Sequence, residues 1–451
     1  MVTHSSNLFK NRSATHEFLF SHSKGVQETD LAAQARFDEA GPVSPALATE
    51  FSDLHDRDGL IRLIADNMAS ATALTAIAVR IVWPAEMPAD DERAATLLKK
   101  WLKPIAETCR AHDGAWAHTG RYRFVCVFPG FDADRGRALA EALLETLGGD
   151  GYPPVILGRA ALSSADGQGT QIVANVEKAL EHGGFFGPGT LTAFDAVSLN
   201  ISGDRHYQAG DITGAIDEYQ KGLQLDPSDP NLYNSLGVCF GVLARHDEAL
   251  AAFEAAIGLD PQDVMAIYNK GYIHLLKHAH EPALACFQQA ARLEPEVFEV
   301  NFHIGLTYME QQMPEKARPY LEAATRSNRR SGHAFRSLGR CLGQLGLTRE
   351  AIQAYKRAVK VNPADAESLS MLGRLYTRLG ESLDVAEVFC EQSVTLSPDN
   401  GLFQHRLGVV YLQQDRPDRA LSAFARAIEL GHDSHSDMQS AQAHVAAVKA
   451  S

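Results

Sequence analysis

Side chains of the kinds that do chemistry are scattered in this 451-residue chain rather than gathered. The six cysteines, Cys109, Cys126, Cys239, Cys286, Cys341 and Cys390, include no CxxC pair. That spacing supplies neither a zinc knuckle nor a disulfide framework, so they are expected to be reduced core residues. His432 and His435 in GHDSHSD could offer two imidazoles to a metal, but without further donors such a pair reads as a polar loop. The glycine-rich GGFFGPG at residues 183–189 has no lysine-bearing helix after it, so a turn is expected rather than a phosphate cradle. No GxxxxGK[ST], HExxH or GxSxG stretch occurs. The chain is therefore read as a non-enzyme with no cofactor.

Bulk properties narrow the class further. The length suits two or three domains. Apolar residues at 45% and charged residues at 22% are near globular averages, and no apolar run is long enough to span a membrane. A net charge of −14 argues against wholesale nucleic-acid binding, which needs a basic footprint. The N-terminus lacks a secretory pattern, so a cytoplasmic location is expected. Residues 1–50, polar and without an apolar period, are expected to be a mobile leader.

Spacing becomes informative in the second half. Glycines recur at Gly203, Gly237, Gly271, Gly305, Gly339, Gly373 and Gly408, with five steps of 34 residues and one of 35. Twelve residues after the first five come Ala215, Ala249, Ala283, Ala317 and Ala351. Ala420 keeps that spacing in the seventh unit, and an extra residue in GESLDVA moves the sixth to Ala386. Sixteen residues past the glycines lie Tyr219, Phe253, Phe287, Leu321, Tyr355, Phe389 and Phe424. Prolines close most units, at Pro227, Pro261, Pro295, Pro363 and Pro398. A glycine inside a helix costs about 1 kcal/mol against alanine, so its recurrence needs a packing reason. Small Gly and Ala let two helices touch, the aromatic fills the layer between them, and proline stops the second helix.

These residues resemble the tetratricopeptide repeat family over residues 196–432. The resemblance implies an all-α solenoid of seven hairpins, with fourteen helices, followed by a capping helix at 433–451 that covers the last apolar face. Arg329 and His432 stand where proline would close the fourth and seventh units, so looser ends or longer connections are expected there. In that family the first helix of each hairpin lines a concave groove, reached three residues before and one after each glycine. Those offsets share one helical face.

The groove so implied runs from Asn200, Asp204, Asn234 and Val238, through Tyr268, Tyr272, Phe302 and Leu306, to Arg336, Arg340, Ser370 and Arg374. Aromatics offer contact area and arginines bind carboxylates bidentately, so the implied partner is a protein segment with an apolar anchor and acidic residues. The competing reading is that the aromatics cover neighbouring helices and the arginines form a solvated face. The Lys, Asn and Arg set of the family's carboxylate clamp does not occur in three consecutive units.

Residues 51–195 alternate helix and strand signals. The helix LIRLIADNM precedes a strand ALTAIAVRIVW, a helix at 91–112 and strands at 115–118 and 122–128. A helix at 133–147, a strand at 154–162, a helix at 171–182 and a strand at 191–194 follow. A hairpin between two helices predicts an α+β, ferredoxin-like sandwich on a mainly antiparallel sheet. HTGRYRFVCVFP and VEKALEHGG resemble the diguanylate cyclase (GGDEF) domain and, more distantly, class III nucleotide cyclases. Cyclase chemistry needs carboxylates to hold two Mg²⁺ ions. Here the signature turn is Gly120 to Phe124, with Arg121 and Arg123, and the first strand carries Arg80 and Val82. The resemblance thus implies a degenerate, catalytically dead domain. Arg110 and Asp113 in RAHD resemble the family's RxxD product site, with six rather than five residues before the turn, which would imply a cyclic dinucleotide ligand. By themselves they read as an exposed helix-end pair. Two functions follow: an adaptor that holds a partner in the groove or, as the alternative, a signalling receptor whose dead cyclase-like domain binds a cyclic dinucleotide and relays this through the array.

Overall fold

The computed structural model describes residues 45–83, 92–163, 169–380 and 382–450. The expected leader lies outside the described residues up to residue 44. Its last part, Pro45–Glu50, is a short helix (α1) with Leu47 buried in the core. The chain divides into two compact bodies between Asn269 and Lys270.

In the first body, β1 (Leu54–Asp56) and α2 (Arg57–Asn67) lead into β2 (Leu74–Ile81), α3 (Glu92–Ala111), β3 (Ala115–Gly120) and β4 (Arg123–Pro129). After these come α4 (Ala133–Leu147), β5 (Val155–Leu162), α5 (Gln171–Gly183) and β6 (Thr190–Ala193). The sheet order is β1-β3-β4-β2-β5-β6. Its four central strands, β3-β4-β2-β5, are antiparallel to one another, whereas β1 and β6 join the edges in parallel, so the sheet is mixed. Alternation along β2 explains the layering. Ile77, Val79 and Ile81 enter one core with Trp101, Ile105 and Leu143 of α3 and α4. Leu74, Ala76 and Ala78 enter another with Leu60 and Ile64 of α2 and Val173 and Val176 of α5. Helices therefore cover both faces, a layer more than a simple sandwich requires.

The repeats begin in the same body with α6 (Ala196–Gln208), α7 (Ile212–Leu225), α8 (Pro230–Val242) and α9 (His246–Leu259); α10 (Val264–Leu276) contains the division. The second body continues with α11 (His280–Leu293), α12 (Phe298–Glu310), α13 (Pro314–Ser327), α14 (Gly332–Gln344) and α15 (Thr348–Val361). Next are α16 (Ala366–Leu379), α17 (Leu383–Leu396), α18 (Gly401–Gln413), α19 (Pro417–Glu429) and α20 (His435–Ala450). These are the fourteen paired helices and the extra helix that the periodicity implies.

Each recurring glycine faces the filler of its own hairpin. A Cβ on Gly237 would meet Phe253 at 2.5 Å, and one on Gly305 would meet Leu321 at 2.6 Å. The sixth unit departs from the expected column: its extra residue shifts the second helix by one position, so Cys390 rather than Phe389 faces Gly373. Phe389 instead stacks on Tyr376, with centroids 6.0 Å apart. The fourth unit ends without proline on Asn328, at φ −125° and ψ 92°, the same extended cap that closes the proline-containing units at Asp260 and Asn362. Its expected loosening is therefore not observed.

A second column emerges at the hairpin turns. Seven residues after each repeat glycine the backbone takes positive φ, at Gly210, Ala244, His278, Gln312, Gly346, Gly380 and Asp415. Four of these seven are not glycine, which hides the column from a sequence reading.

Candidate functional site

Within the second body, first helices of successive units touch one another, and this decides which groove positions remain open. Tyr272 is buried, 1% exposed, with its ring edge-on to His303 of the next first helix at 5.4 Å. Phe302 is 5% exposed and stacks on Phe298 at 5.5 Å. Leu306 is half-buried within the core around Leu338 and Tyr355. In the first body Tyr268 is fully buried. The aromatic stretch of the expected groove is therefore a packing layer and offers no open anchor: the neighbouring first helix covers the offsets that a lone hairpin would expose. Asn234 is likewise buried and accepts a hydrogen bond from Asn269 at 2.9 Å, and Asp204 accepts one from the Tyr219 hydroxyl at 2.7 Å.

The arginines separate into two groups. Arg336 donates to Asp365 Oδ1 at 2.9 Å and lies 3.7 Å from Glu367 Oε2, so it ties α14 to the N-cap of α16. Arg340 and Arg374 are exposed, and among the described residues neither is ion-paired. Beyond Arg374 a cavity of about 410 Å³ opens between α16, α18 and the α19–α20 connection. Its basic side chains are Arg374, Arg378, His405, Arg406 and His432, with Leu402 and Val409 on an apolar wall and no carboxylate among its lining residues. Arg378 donates to Thr348 Oγ1 at 2.5 Å and Arg406 to the buried Ser370 Oγ at 2.8 Å. Burial and the charge of Arg374 pull the Arg406 pKa down. His405 is lowered by burial and by neighbouring His432 and Arg406, with Asp437 opposing them. Ser434 Oγ bridges the two imidazoles, 2.9 Å from His405 Nδ1 and 3.0 Å from His432 Nδ1. Applied to Gly408, the offset of three residues used for the other units points to His405. Arg406 and His432 carry no such periodic signal.

On the α+β domain, Arg110 forms a two-pronged pair with Asp53, at 2.9 and 2.7 Å, and this contact holds the Asp53 carboxyl below the usual range. Asp113 sits in the following turn at φ 53°. Arg121 and Tyr122 form the two-residue turn of the β3–β4 hairpin. Arg123 lies opposite Arg80 across the β2–β4 ladder and 3.8 Å from Glu181. Among the described residues no group of three or more metal-ligating side chains assembles, His432 and His435 included, and no helix is long and apolar enough to cross a membrane.

Comparison with known proteins agrees with the hairpins. The TPR repeat profile matches residues 203–241, and the Tetratricopeptide repeat profile matches 242–297, 302–348, 338–401 and 371–437. Residues 203–437 are thus an array of tetratricopeptide repeats. No curated protein matches the chain. Among solved structures it is similar to YrrB, described as a TPR protein with an unusual peptide-binding site, at 22% identity and TM-score 0.39, covering 42% of this chain and 96% of that one. It is also similar to MamA, at 24% identity, TM-score 0.34 and coverage of 36% and 94%. Pseudomonas aeruginosa pilF follows at 23% identity, TM-score 0.42 and coverage of 46% and 95%. The matched profiles lie within residues 203–437, so the cyclase resemblance of residues 51–195 gains nothing from them.

Proposed function

We propose that this protein is a non-catalytic adaptor, in which the first helices of the later units hold an acidic segment of a partner protein. The observation that carries this reading is that Arg374 and Arg406, from successive first helices, line one cavity with no carboxylate among its lining residues, and that Arg340 is exposed on the first helix before them. A basic stripe on a chain of net charge −14 is local rather than compositional, and it suits steering of an acidic partner. The test is affinity capture with the full chain and with an Arg340→Glu/Arg374→Glu variant of unchanged melting temperature. Partners held by the wild type at low salt are expected to be lost from the variant; an identical captured set would reject this face.

The α+β domain is inferred to be a degenerate cyclase-like base for the array. Arg80 and Arg123 face each other on the strands where the cyclase resemblance calls for metal-binding carboxylates. Incubation with GTP or ATP and Mg²⁺ or Mn²⁺ is expected to yield no cyclic product. Engagement of Arg110 by Asp53 favours the adaptor over a dinucleotide receptor.

A further inference from the structure

We propose that the cavity between α16, α18 and the α19–α20 connection is a binding site for adjacent carboxylate side chains of a peptide, a glutamate-rich stretch of the partner. The inference rests on the adaptor reading for the source of the ligand, and on the cavity itself for its chemistry. Three guanidinium groups line about 410 Å³ without a carboxylate among the lining residues. Arg406 has lost much of its hydration and feels the like charge of Arg374, opposed from outside the lining by Glu367. A guanidinium carries five N–H donors in a fixed fork, and among the described residues the acceptor Arg406 has found is a neutral hydroxyl, Ser370 Oγ.

Burying a cation is costly unless an opposite charge meets it, and here none of the lining residues supplies one. An arriving carboxylate would accept two N–H bonds from one fork and offset the repulsion between Arg374 and Arg406. His405 and His432 also line the cavity, on a helix and a loop that Ser434 holds together.

Size and lining argue for side-chain carboxylates. A volume of this order is at the lower end of ligand pockets and exceeds what one carboxylate fills. Leu402 and Val409 form an apolar wall against which the methylenes of glutamate can lie while the charge faces the arginines. Arg374 and Arg340 lie on the same helical face one unit apart, so the chain of a bound segment has a charged path leading out of the cavity.

The test uses the full chain and isothermal titration with hexaglutamate capped at both termini, against equally capped hexaglutamine. Hexaglutamate is expected to bind at least about tenfold more tightly, and to weaken markedly between about 0.05 and 0.3 M salt. Arg374→Gln and Arg406→Lys should each weaken it about fivefold, the second because lysine cannot form the two-pronged contact, while Arg340→Gln changes it less than about twofold. Equal binding of the two peptides, or sensitivity to Arg340 but not to Arg374 and Arg406, would overturn the site and leave the adaptor reading standing. Binding that requires a free C-terminus would replace side-chain with terminal carboxylate recognition. A capped phosphoserine peptide binding over about tenfold more tightly than hexaglutamate would reassign the cavity to phosphate. Loss of captured partners in the Arg340→Glu/Arg374→Glu variant without any hexaglutamate binding would reject this inference alone.

Discussion

Lys178 Nζ lies 2.5 Å from Glu218 Oε2, with both side chains largely buried, so the closing helix α5 of the α+β domain is ion-paired to the second helix of the first hairpin. Glu181, one turn further on in α5, is shared between Arg123 of the sheet and Arg205 of α6. His182 of the same helix contacts Ser198 Oγ at 3.2 Å. A repeat array needs its first apolar face covered, and here the α+β domain covers it.

Removing Lys178 should therefore weaken folding. Burial alone would raise the Glu218 carboxyl, but Lys178 and Ser202 hold it below the usual glutamate value. Lys178→Met is expected to cost roughly 2–3 kcal/mol in urea unfolding at pH 7, less than a fully orphaned buried charge because Lys221 remains 3.4 Å from Glu218 Oε1. The lowered carboxyl stabilises above the unfolded pKa of about 4.3 and loses that effect as pH falls through its folded value. The gap between wild type and variant should accordingly close below about pH 4. A gap constant down to pH 3 would reject the pair as its cause.

Tyr272→Ala is expected to destabilise the array by about 3–5 kcal/mol, as for other large aromatic truncations in a packed core. The ring is 1% exposed against His303. Urea unfolding followed by circular dichroism decides the matter, since a surface anchor would leave the midpoint unmoved.

His303 is enclosed by Tyr272, Phe287 and Phe302, with its Nδ1 2.9 Å from the Glu299 carbonyl. Burial pulls its pKa down to about 4. Unfolded chains take up the proton near pH 6.5 and the native state does not, so stability present above that pH is lost progressively down to about pH 4, on the order of 3 kcal/mol in all. His303→Met should flatten this limb in a series of melts between pH 7 and pH 4. An unchanged slope would place the acid sensitivity elsewhere.

The hairpin-turn column offers a paired test. Ala244 adopts φ 58° and Gly346 φ 77° at equivalent positions. The left-handed region costs a residue with a Cβ roughly 1 kcal/mol, so Ala244→Gly should raise stability by up to about that amount and Gly346→Ala should lower it similarly. Differential scanning calorimetry showing both shifts in the same direction would contradict the assignment.

The repeat architecture was legible because the contact of each repeat glycine with its filler, sixteen residues on in every unit but the sixth, lies within one unit and recurs with the period. The α+β elements were legible for the same local reason, except β1: three residues are too short to show alternation, and the parallel partner β3 defines that strand. Contacts between units escaped the sequence. Which helical face stays open depends on the next first helix, and that packing turned Tyr272 and Phe302 from expected anchors into core. It also drew Arg374, Arg406 and His432, spread over three elements, around one cavity. Periodicity reports the contacts a unit makes with itself, whereas burial and local charge depend on neighbours distant in sequence, and only the tertiary structure brings those together.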